Sequence, residues 1–174
     1  AEYRVVPNKF PAILEDGKAA VRYLKANAEV FGIDPTKIGV LGDSAGGYLS
    51  QMVAVTGGEK SFDKGENLHV DSTVRAAVTL YGISDLRNIG AGYDEATQKV
   101  HQSPAVTEAL LVNGVAFRDF AGASINADSA KALAASSLGH IKKNLPPMLI
   151  MHGSEDKLVS PVQSEQLYEA LKAS

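Results

Sequence analysis

The chain has 174 residues, of which 45% are hydrophobic and 21% charged, and its formal net charge is -3. This length and composition fit one globular domain, and the nearly balanced charge gives no reason to expect nucleic acid or a membrane as a partner. No apolar run reaches the roughly 18 residues of a membrane span, and the absence of cysteine excludes disulfides and thiolate metal sites.

The first predicted elements are the end of a strand at residues 3–6 and a helix that starts at Pro11. Apolar residues recur along this helix at helical spacing: Ile13, Gly17, Val21, Leu24 and Ala28. Charged residues occupy the other side and are predicted to form a solvated face: Glu15, Lys18, Arg22 and Lys25. Gly32 and the Asp34-Pro35 pair are predicted to end the helix.

The next elements are a predicted strand over residues 37–41 and a helix from Ala45 to about Val55, with Ser44 at the turn between them. A serine in such a turn is typical of the nucleophile elbow, whose strained backbone exposes the hydroxyl at a helix N-terminus. Backbone N–H groups there can stabilise an oxyanion. A chymotrypsin-like fold is excluded because its serine comes last in chain order, and a phosphate-binding loop because no Gly-Lys-Ser/Thr is present.

The residues around Ser44 complete the pattern G-x-S-x-G. Gly42 and Gly46 stand two positions to either side of it, and Asp43 precedes it directly. Because the turn is tight, side chains at Gly42 and Gly46 are expected to collide with neighbouring backbone.

The second half of the chain contains predicted strands at residues 74–81 and 148–152 and a last helix at residues 161–172. Residues 82–145 are irregular, with a short helix expected at residues 105–112. Some apolar residues there are expected either to line an acyl or aromatic pocket or to form the segment's own core: Leu110, Leu111, Val112, Val115 and Phe117. Strands that alternate with helices predict a parallel sheet covered on both faces, with ligands at its carboxyl edge.

An elbow serine needs a base and an acid that orients the base. Asp156 is the predicted acid, because its loop follows the third strand and lies at the same sheet edge as Ser44. Glu155 is the neighbouring alternative. Asp85, after the second strand, is a further alternative, although a capping role is more expected for it.

All four histidines precede Asp156, whereas in α/β-hydrolases the histidine follows the acid. His152 and His101, which lies in the segment that could cover the site, are therefore only minor candidates for the base. His152 is expected to pack beside the acid loop, and the others are expected in loops: His69, His101 and His140. No histidine–carboxylate spacing predicts a metal site, and no cofactor is expected.

Several runs together resemble the hormone-sensitive-lipase-like and feruloyl/acetyl-xylan-type esterases of the α/β-hydrolase fold: residues 3–7, 10–12, 14–16, 19–24, 33–35, 38–47 and 145–147, and the pattern His152-Gly153-x-x-Asp156-x-x-Val159-x-Pro161. The resemblance implies an α/β fold with a mostly parallel sheet and helices on both faces, incomplete at both ends. The family's His-Gly-Gly-Gly oxyanion loop and its catalytic histidine have no counterpart in these residues.

The resemblance also implies roles for particular residues. Ser44 would be the nucleophile, Asp156 the triad acid and the Ala45 N–H an oxyanion donor. The implied activity is that of a serine carboxylesterase on small-molecule or polysaccharide-linked esters, with acetyl or feruloyl esters of plant polysaccharide as expected substrates. The alternatives are a peptidase or amidase of the same fold and a non-catalytic module that lacks the histidine.

By the same resemblance, residues 1–174 would be an internal part of an α/β-hydrolase catalytic domain, with a cap-like insertion at about residues 82–145. The elbow strand would then expose an unpaired apolar edge, so poor solubility is expected for these residues alone. The composition is that of a soluble protein, bacterial cytoplasmic or secreted, and it does not indicate an oligomeric state.

Overall fold

The computed structural model describes all 174 residues, and its centre is a three-stranded parallel sheet. The strands lie side by side in chain order: β1 (Val40–Asp43), β2 (Ala77–Leu80) and β3 (Met148–Met151). Their last residues, Asp43, Leu80 and Met151, are level in the register. The carboxyl ends of the three strands therefore form one edge, as predicted.

Seven α-helices complete the fold: α1 (Ala12–Ala26), α2 (Ala28–Phe31), α3 (Ala45–Thr56), α4 (Glu95–Val100), α5 (Thr107–Asn113), α6 (Ser129–Ala134) and α7 (Val162–Ala173). The helices predicted before and after β1, within residues 82–145 and after β3 are therefore present as α1, α3, α5 and α7. None of the helices combines the length and apolar character that crossing a bilayer requires.

The hydrophobic core lies on one face of the sheet, where α3 packs against β1 and β2. Tyr48, Met52 and Val53 of α3 are buried there, together with Leu14 and Val21 of α1. Apolar residues of the segment 82–145 join the same core: Leu86, Ile89, Ala109, Val112, Ile125, Ala132 and Ala135. Much of that segment thus packs on the same core as α1 and α3.

The opposite face of the sheet is open. Leu41, Leu149 and Met151 point to it, and the Leu41 residue is 70% exposed. The expected helix cover is therefore present on one face and absent from the other within these residues. β1 is an edge strand of the sheet, in agreement with the unpaired edge expected for the elbow strand.

Residues 3–6 do not form the predicted strand. The Arg4 N–H donates to an Asp16 carboxylate oxygen at 2.7 Å, and the Arg4 guanidinium binds Asp16 and Glu15 at the start of α1. A strand needs a neighbouring strand to accept its ladder hydrogen bonds, and here the Arg4 backbone is satisfied by a side chain instead.

The predicted solvated face of α1 is wrong at Lys18 and Arg22, whose side chains are fully buried. Lys18 Nζ donates to the Thr56 and Glu59 carbonyls at 2.8 and 2.6 Å and lies 3.3 Å from an Asp63 oxygen. Arg22 binds the same Asp63 oxygen at 2.9 Å. Helical spacing could not show this, because the cover comes from the loop after α3; we call Lys18, Arg22 and Asp63 the α1 cluster.

Candidate active site

Ser44 lies at the junction of β1 and α3, in a backbone conformation that few non-glycine residues adopt. Its φ is 48° and its ψ is -116°, a strained combination that is typically held by the surrounding structure at functional sites. The Ser44 N–H donates to the Leu80 carbonyl at 3.0 Å, which ties the turn to β2. The next residue, Ala45, is the first of α3, so its N–H has no acceptor within the helix and is free for an oxyanion.

The glycines of the turn differ in how tightly they are packed. A Cβ at Gly42 would overlap the Gly46 carbonyl, as expected. The same expectation is wrong for Gly46, where the nearest atom to a Cβ would be an Asp43 oxygen at 3.9 Å. The crowded position is Gly47, whose Cβ would lie 2.8 Å from the Leu80 carbonyl and 2.9 Å from Gly82. α3 therefore approaches the end of β2 closely enough to require glycine one position later than predicted.

Asp156 lies in the loop after β3, so it shares the carboxyl edge of the sheet with Ser44. Its Oδ1 accepts the N–H groups of Leu158 and Val159 at 2.8 and 3.1 Å, while Oδ2 lies 3.5 Å from His152 Nε2. Partial burial favours a higher pKa for Asp156, but the two N–H donors and His152 outweigh it and lower the pKa below its ordinary value. The carboxylate is thus held ionised and oriented.

The two alternative acids are placed differently. The Glu155 side chain is 87% exposed and lies 3.4 Å from Lys157, so its carboxylate faces solvent. Asp85 is buried, and Arg87 binds both of its oxygens, at 2.9 and 2.7 Å. Asp85 also caps a short helical turn through the Arg87 N–H, the role expected for it.

None of the four histidines is hydrogen-bonded to Ser44. His152 is held at both ring nitrogens, by Ser164 Oγ at 2.7 Å and by the Val159 carbonyl at 2.9 Å, and so packs beside the acid loop as expected. The other three lie elsewhere: His69 is exposed, His101 pairs with Glu108 at 2.6 Å, and His140 lies 3.3 Å from Glu59. No group of three or more acidic or histidine side chains is arranged to hold a metal ion.

Tyr81 is a residue of this edge that the sequence motifs do not indicate. It follows β2 as Ser44 follows β1, and its hydroxyl donates to Asp43 Oδ2 at 3.1 Å. Its ring lies edge-on to His152. The position level with Ser44 on the neighbouring strand was the signal that could have found it. We call Asp43, Ser44, Tyr81, His152 and Asp156 the strand-end cluster.

The segment 82–145 contacts the acid loop and α7. The Tyr93 hydroxyl donates to the Asp156 backbone carbonyl at 3.0 Å. The buried Gln163 amide accepts the Ser84 and Asp85 N–H groups and donates to Asn88. The apolar residues that were expected to line a pocket or form a core differ in burial. Val112 is buried, Leu110 and Leu111 are half-buried, and Val115 and Phe117 are exposed.

The parallel sheet, the strained serine turn into a buried helix and the helix after the third strand together define an α/β-hydrolase fold. The chain belongs to the BD-FAE family, whose model matches residues 1–171. It is 29% identical over 171 residues to the probable carboxylic ester hydrolase LipM of Mycobacterium tuberculosis, a match that covers 98% of this chain. It is 28% identical over 173 residues, 99% of the chain, to the esterase LipC of the same organism.

Solved structures of esterases have the same fold. A truncated carbohydrate esterase from gut microbiota superposes on 95% of this chain with a TM-score of 0.78 and 28% identity. An acetyl ester-xyloside bifunctional hydrolase from Caldicellulosiruptor lactoaceticus superposes on 99% with a TM-score of 0.70 and 27% identity. The chain spans 36% and 39% of the two mycobacterial proteins and 57% and 55% of the two structures.

Proposed function

We propose that this chain carries the nucleophile and the acid of a carboxylic-ester hydrolase that works through an acyl-enzyme. The observation that carries the proposal is the strained turn at Ser44, at the same sheet edge as Asp156. Because β2 lies between β1 and β3, the ends of those two strands are about 10 Å apart. That separation leaves room for an imidazole between them.

The proposed reaction has two halves. Ser44 Oγ attacks the ester carbonyl carbon while a general base takes its proton, and the Ala45 N–H donates to the oxyanion that forms. The bond from carbon to the alcohol oxygen then breaks, and the alcohol leaves with the proton. Water repeats the attack on the acyl-serine and releases the carboxylic acid.

Asp156 would orient the base through its Oδ2, because Oδ1 is already held by two backbone N–H groups. None of the four histidines is proposed as that base. His152 is held at both ring nitrogens. His101 and His140 pair with carboxylates away from Ser44, and His69 is exposed to solvent. The nucleophile and the acid are thus assigned, and the general base is not.

We propose acetyl or feruloyl esters of plant polysaccharide as the substrates. Support comes from the named activities of the structural relatives, a carbohydrate esterase and an acetyl ester-xyloside hydrolase. The segment 82–145 would act as a cap, and its exposed apolar side chains would line the acyl pocket. Phe117, at 66%, is the most exposed of these.

The test uses the intact gene product that contains this chain. Release of p-nitrophenol from p-nitrophenyl acetate, acetate from acetylated xylan and ferulate from methyl ferulate should all disappear in Ser44→Ala. A fluorophosphonate should label the wild type and fail to label Ser44→Ala. Ser154→Ala is the matched control, because Ser154 is an exposed serine in the acid loop at the same edge, and it should keep full activity and labelling.

The other outcomes separate the alternatives. Serine-dependent cleavage of aminoacyl-nitroanilides without ester cleavage would replace the esterase by a peptidase or amidase. A folded protein with neither activity nor labelling would make the chain a non-catalytic module. Labelling that persists in Ser44→Ala would overturn the assignment of the nucleophile.

A further inference from the structure

Tyr81, like Ser44, has a positive φ, and it lies one strand further into the sheet. It directly follows β2, and its φ is 41°, whereas most non-glycine residues avoid positive φ. Its N–H donates to the Met151 carbonyl at 2.7 Å, so the backbone is fixed to the end of β3. This conformation directs the phenol along the edge where the strand-end cluster lies.

The Tyr81 side chain contacts one residue beside Ser44 and one residue beside Asp156. On one side its hydroxyl donates to Asp43 Oδ2 at 3.1 Å, and Asp43 is bonded to Ser44 along the chain. On the other side its ring meets the His152 imidazole at 70°, with centroids 6.4 Å apart, an arrangement preferred by aromatic pairs. His152 in turn lies 3.5 Å from Asp156 Oδ2 and binds the Val159 carbonyl of the acid loop.

The electrostatics keep the phenol in its donating form. The hydrogen bond to Asp43 raises the pKa of Tyr81 above its ordinary value, and the charges of Asp43 and Asp156 add to the effect. At neutral pH the hydroxyl is therefore protonated and donates to Asp43.

We propose that Tyr81 is a positioning residue that sets the nucleophile turn and the acid loop relative to one another. It acts on Ser44 through Asp43 and on Asp156 through His152, and its catalytic part rests on the proposed function. If Tyr81 only filled space, its ring would be sufficient and its hydroxyl would not be required. Tyr81→Phe separates these roles, because it keeps the ring and removes the hydrogen bond alone.

In the intact gene product, Tyr81→Phe should lower kcat for p-nitrophenyl acetate about tenfold and leave KM within about twofold, the pattern of lost transition-state alignment. The rate of fluorophosphonate labelling should fall in parallel. Tyr168→Phe is the control, since Tyr168 is exposed on α7, and its kinetics should match the wild type.

Variants at Asp43 test the path of the effect. Asp43→Ala should lower kcat as much as Tyr81→Phe, and the double variant should be no slower than either, because both remove one interaction. Asp43→Asn keeps an acceptor oxygen and should recover most of the rate. Additive losses in the double variant, or a Tyr81→Phe enzyme that matches the Tyr168→Phe control, would overturn the proposal.

Hydrogen exchange supplies a readout that does not depend on activity. In Tyr81→Phe, amides of residues 42–48 should exchange faster, while those of α1 should not change. In Tyr81→Ala, which also removes the ring, amides of residues 152–159 should exchange faster as well. If the wild type shows no Ser44-dependent hydrolysis, the esterase proposal fails, but the exchange result still decides whether Tyr81 links the two segments. Unchanged exchange in either segment would refute that link.

Discussion

The strand-end cluster and the α1 cluster both contain charged side chains, but they differ in whether their polar atoms have hydrogen-bond partners within the protein. In the α1 cluster, Lys18 and Arg22 are fully buried, and their donors are met by carbonyls and by Asp63. In the strand-end cluster, the Ser44 hydroxyl has no hydrogen-bond partner within the protein, and of the two Asp156 oxygens only Oδ1 accepts backbone N–H groups.

The α1 cluster thus holds the fold together, whereas the strand-end cluster keeps polar atoms without partners in the protein. Burial lowers the pKa of Lys18 despite the opposing effect of Asp63, yet the Lys18 and Arg22 side chains are fully buried and so are not open to a reactant. A perturbed pKa therefore marks a functional site only where the group retains an open position. Substitutions in the strand-end cluster should therefore lower activity, and substitutions in the α1 cluster should lower the free energy of unfolding.

Asp156→Asn should give the largest effect in the strand-end cluster. Loss of the orienting charge is expected to lower kcat/KM about 10³- to 10⁴-fold, the scale seen for orienting aspartates of serine hydrolases. The midpoint of urea unfolding should change little, because the amide oxygen can still accept the two backbone N–H groups. Glu155→Gln should stay within about twofold of wild type, and the reverse pattern would make Glu155 the acid.

Asp63→Ala should show the converse behaviour in the α1 cluster. It leaves two buried cations without their carboxylate, which is expected to lower the free energy of unfolding by about 3–5 kcal/mol. Activity per folded molecule should be unchanged. Urea unfolding measures the loss, with Asp119→Ala, an exposed position, as control within about 0.5 kcal/mol. A loss below about 1 kcal/mol would mean that the carbonyls alone stabilise Lys18 and Arg22.

Gly47→Ala and Gly46→Ala sharpen the description of the turn. Gly47→Ala should lower the free energy of unfolding by about 1–3 kcal/mol, because its methyl group would press on the backbone of β2's end. The methyl group of Gly46→Ala would meet no close neighbour. This substitution should raise the free energy of unfolding by about 0.5–1 kcal/mol, because alanine is more favourable than glycine in a helix. Thermal unfolding of both variants decides, and equal destabilisation would contradict the packing described here.

Asp71→Asn should give the smallest effect, at the periphery of α1. Hydrogen bonds from Lys25 and Thr73 lower the pKa of Asp71 to about 2. A lowered pKa stabilises the fold above the unfolded value, near 3.9, and this contribution disappears as the pH falls towards 2. Because the Asp71 side chain is 61% exposed, the loss should stay below about 1 kcal/mol. Between about pH 4 and 2, the free energy of unfolding should depend less steeply on pH in Asp71→Asn than in the wild type. An unchanged dependence would mean that the ion pair with Lys25 does not contribute to stability.

The sequence predicted the elements that depend on local pattern. The serine turn was predictable because glycine spacing, an apolar strand and an apolar helix all indicated the same geometry around Ser44. The position of Asp156 followed from the rule that parallel strands end at a common edge. Both inferences needed only short stretches of chain and one rule of topology.

Features that depend on distant residues were not predictable. Burial of Lys18 and Arg22 results from a loop about 40 positions further along the chain, and no helical pattern contains that information. Crowding at Gly47 depends on Gly82, and the role inferred for Tyr81 depends on the register of β2 between its neighbours. The predicted strand at residues 3–6 failed for the same reason, since strand formation requires a partner.

The bond between Tyr93 and the Asp156 carbonyl bears on how such a protein could diversify. Because the phenol holds the loop by its main chain, it does not compete for the carboxylate oxygen that a base requires. Sequence drift at the exposed positions of the segment 82–145 would then leave the acid loop in place, provided that the buried residues of the segment and the Tyr93 donor persist. Under the proposed function, new acyl preferences could be selected at those positions without a change in the turn at Ser44.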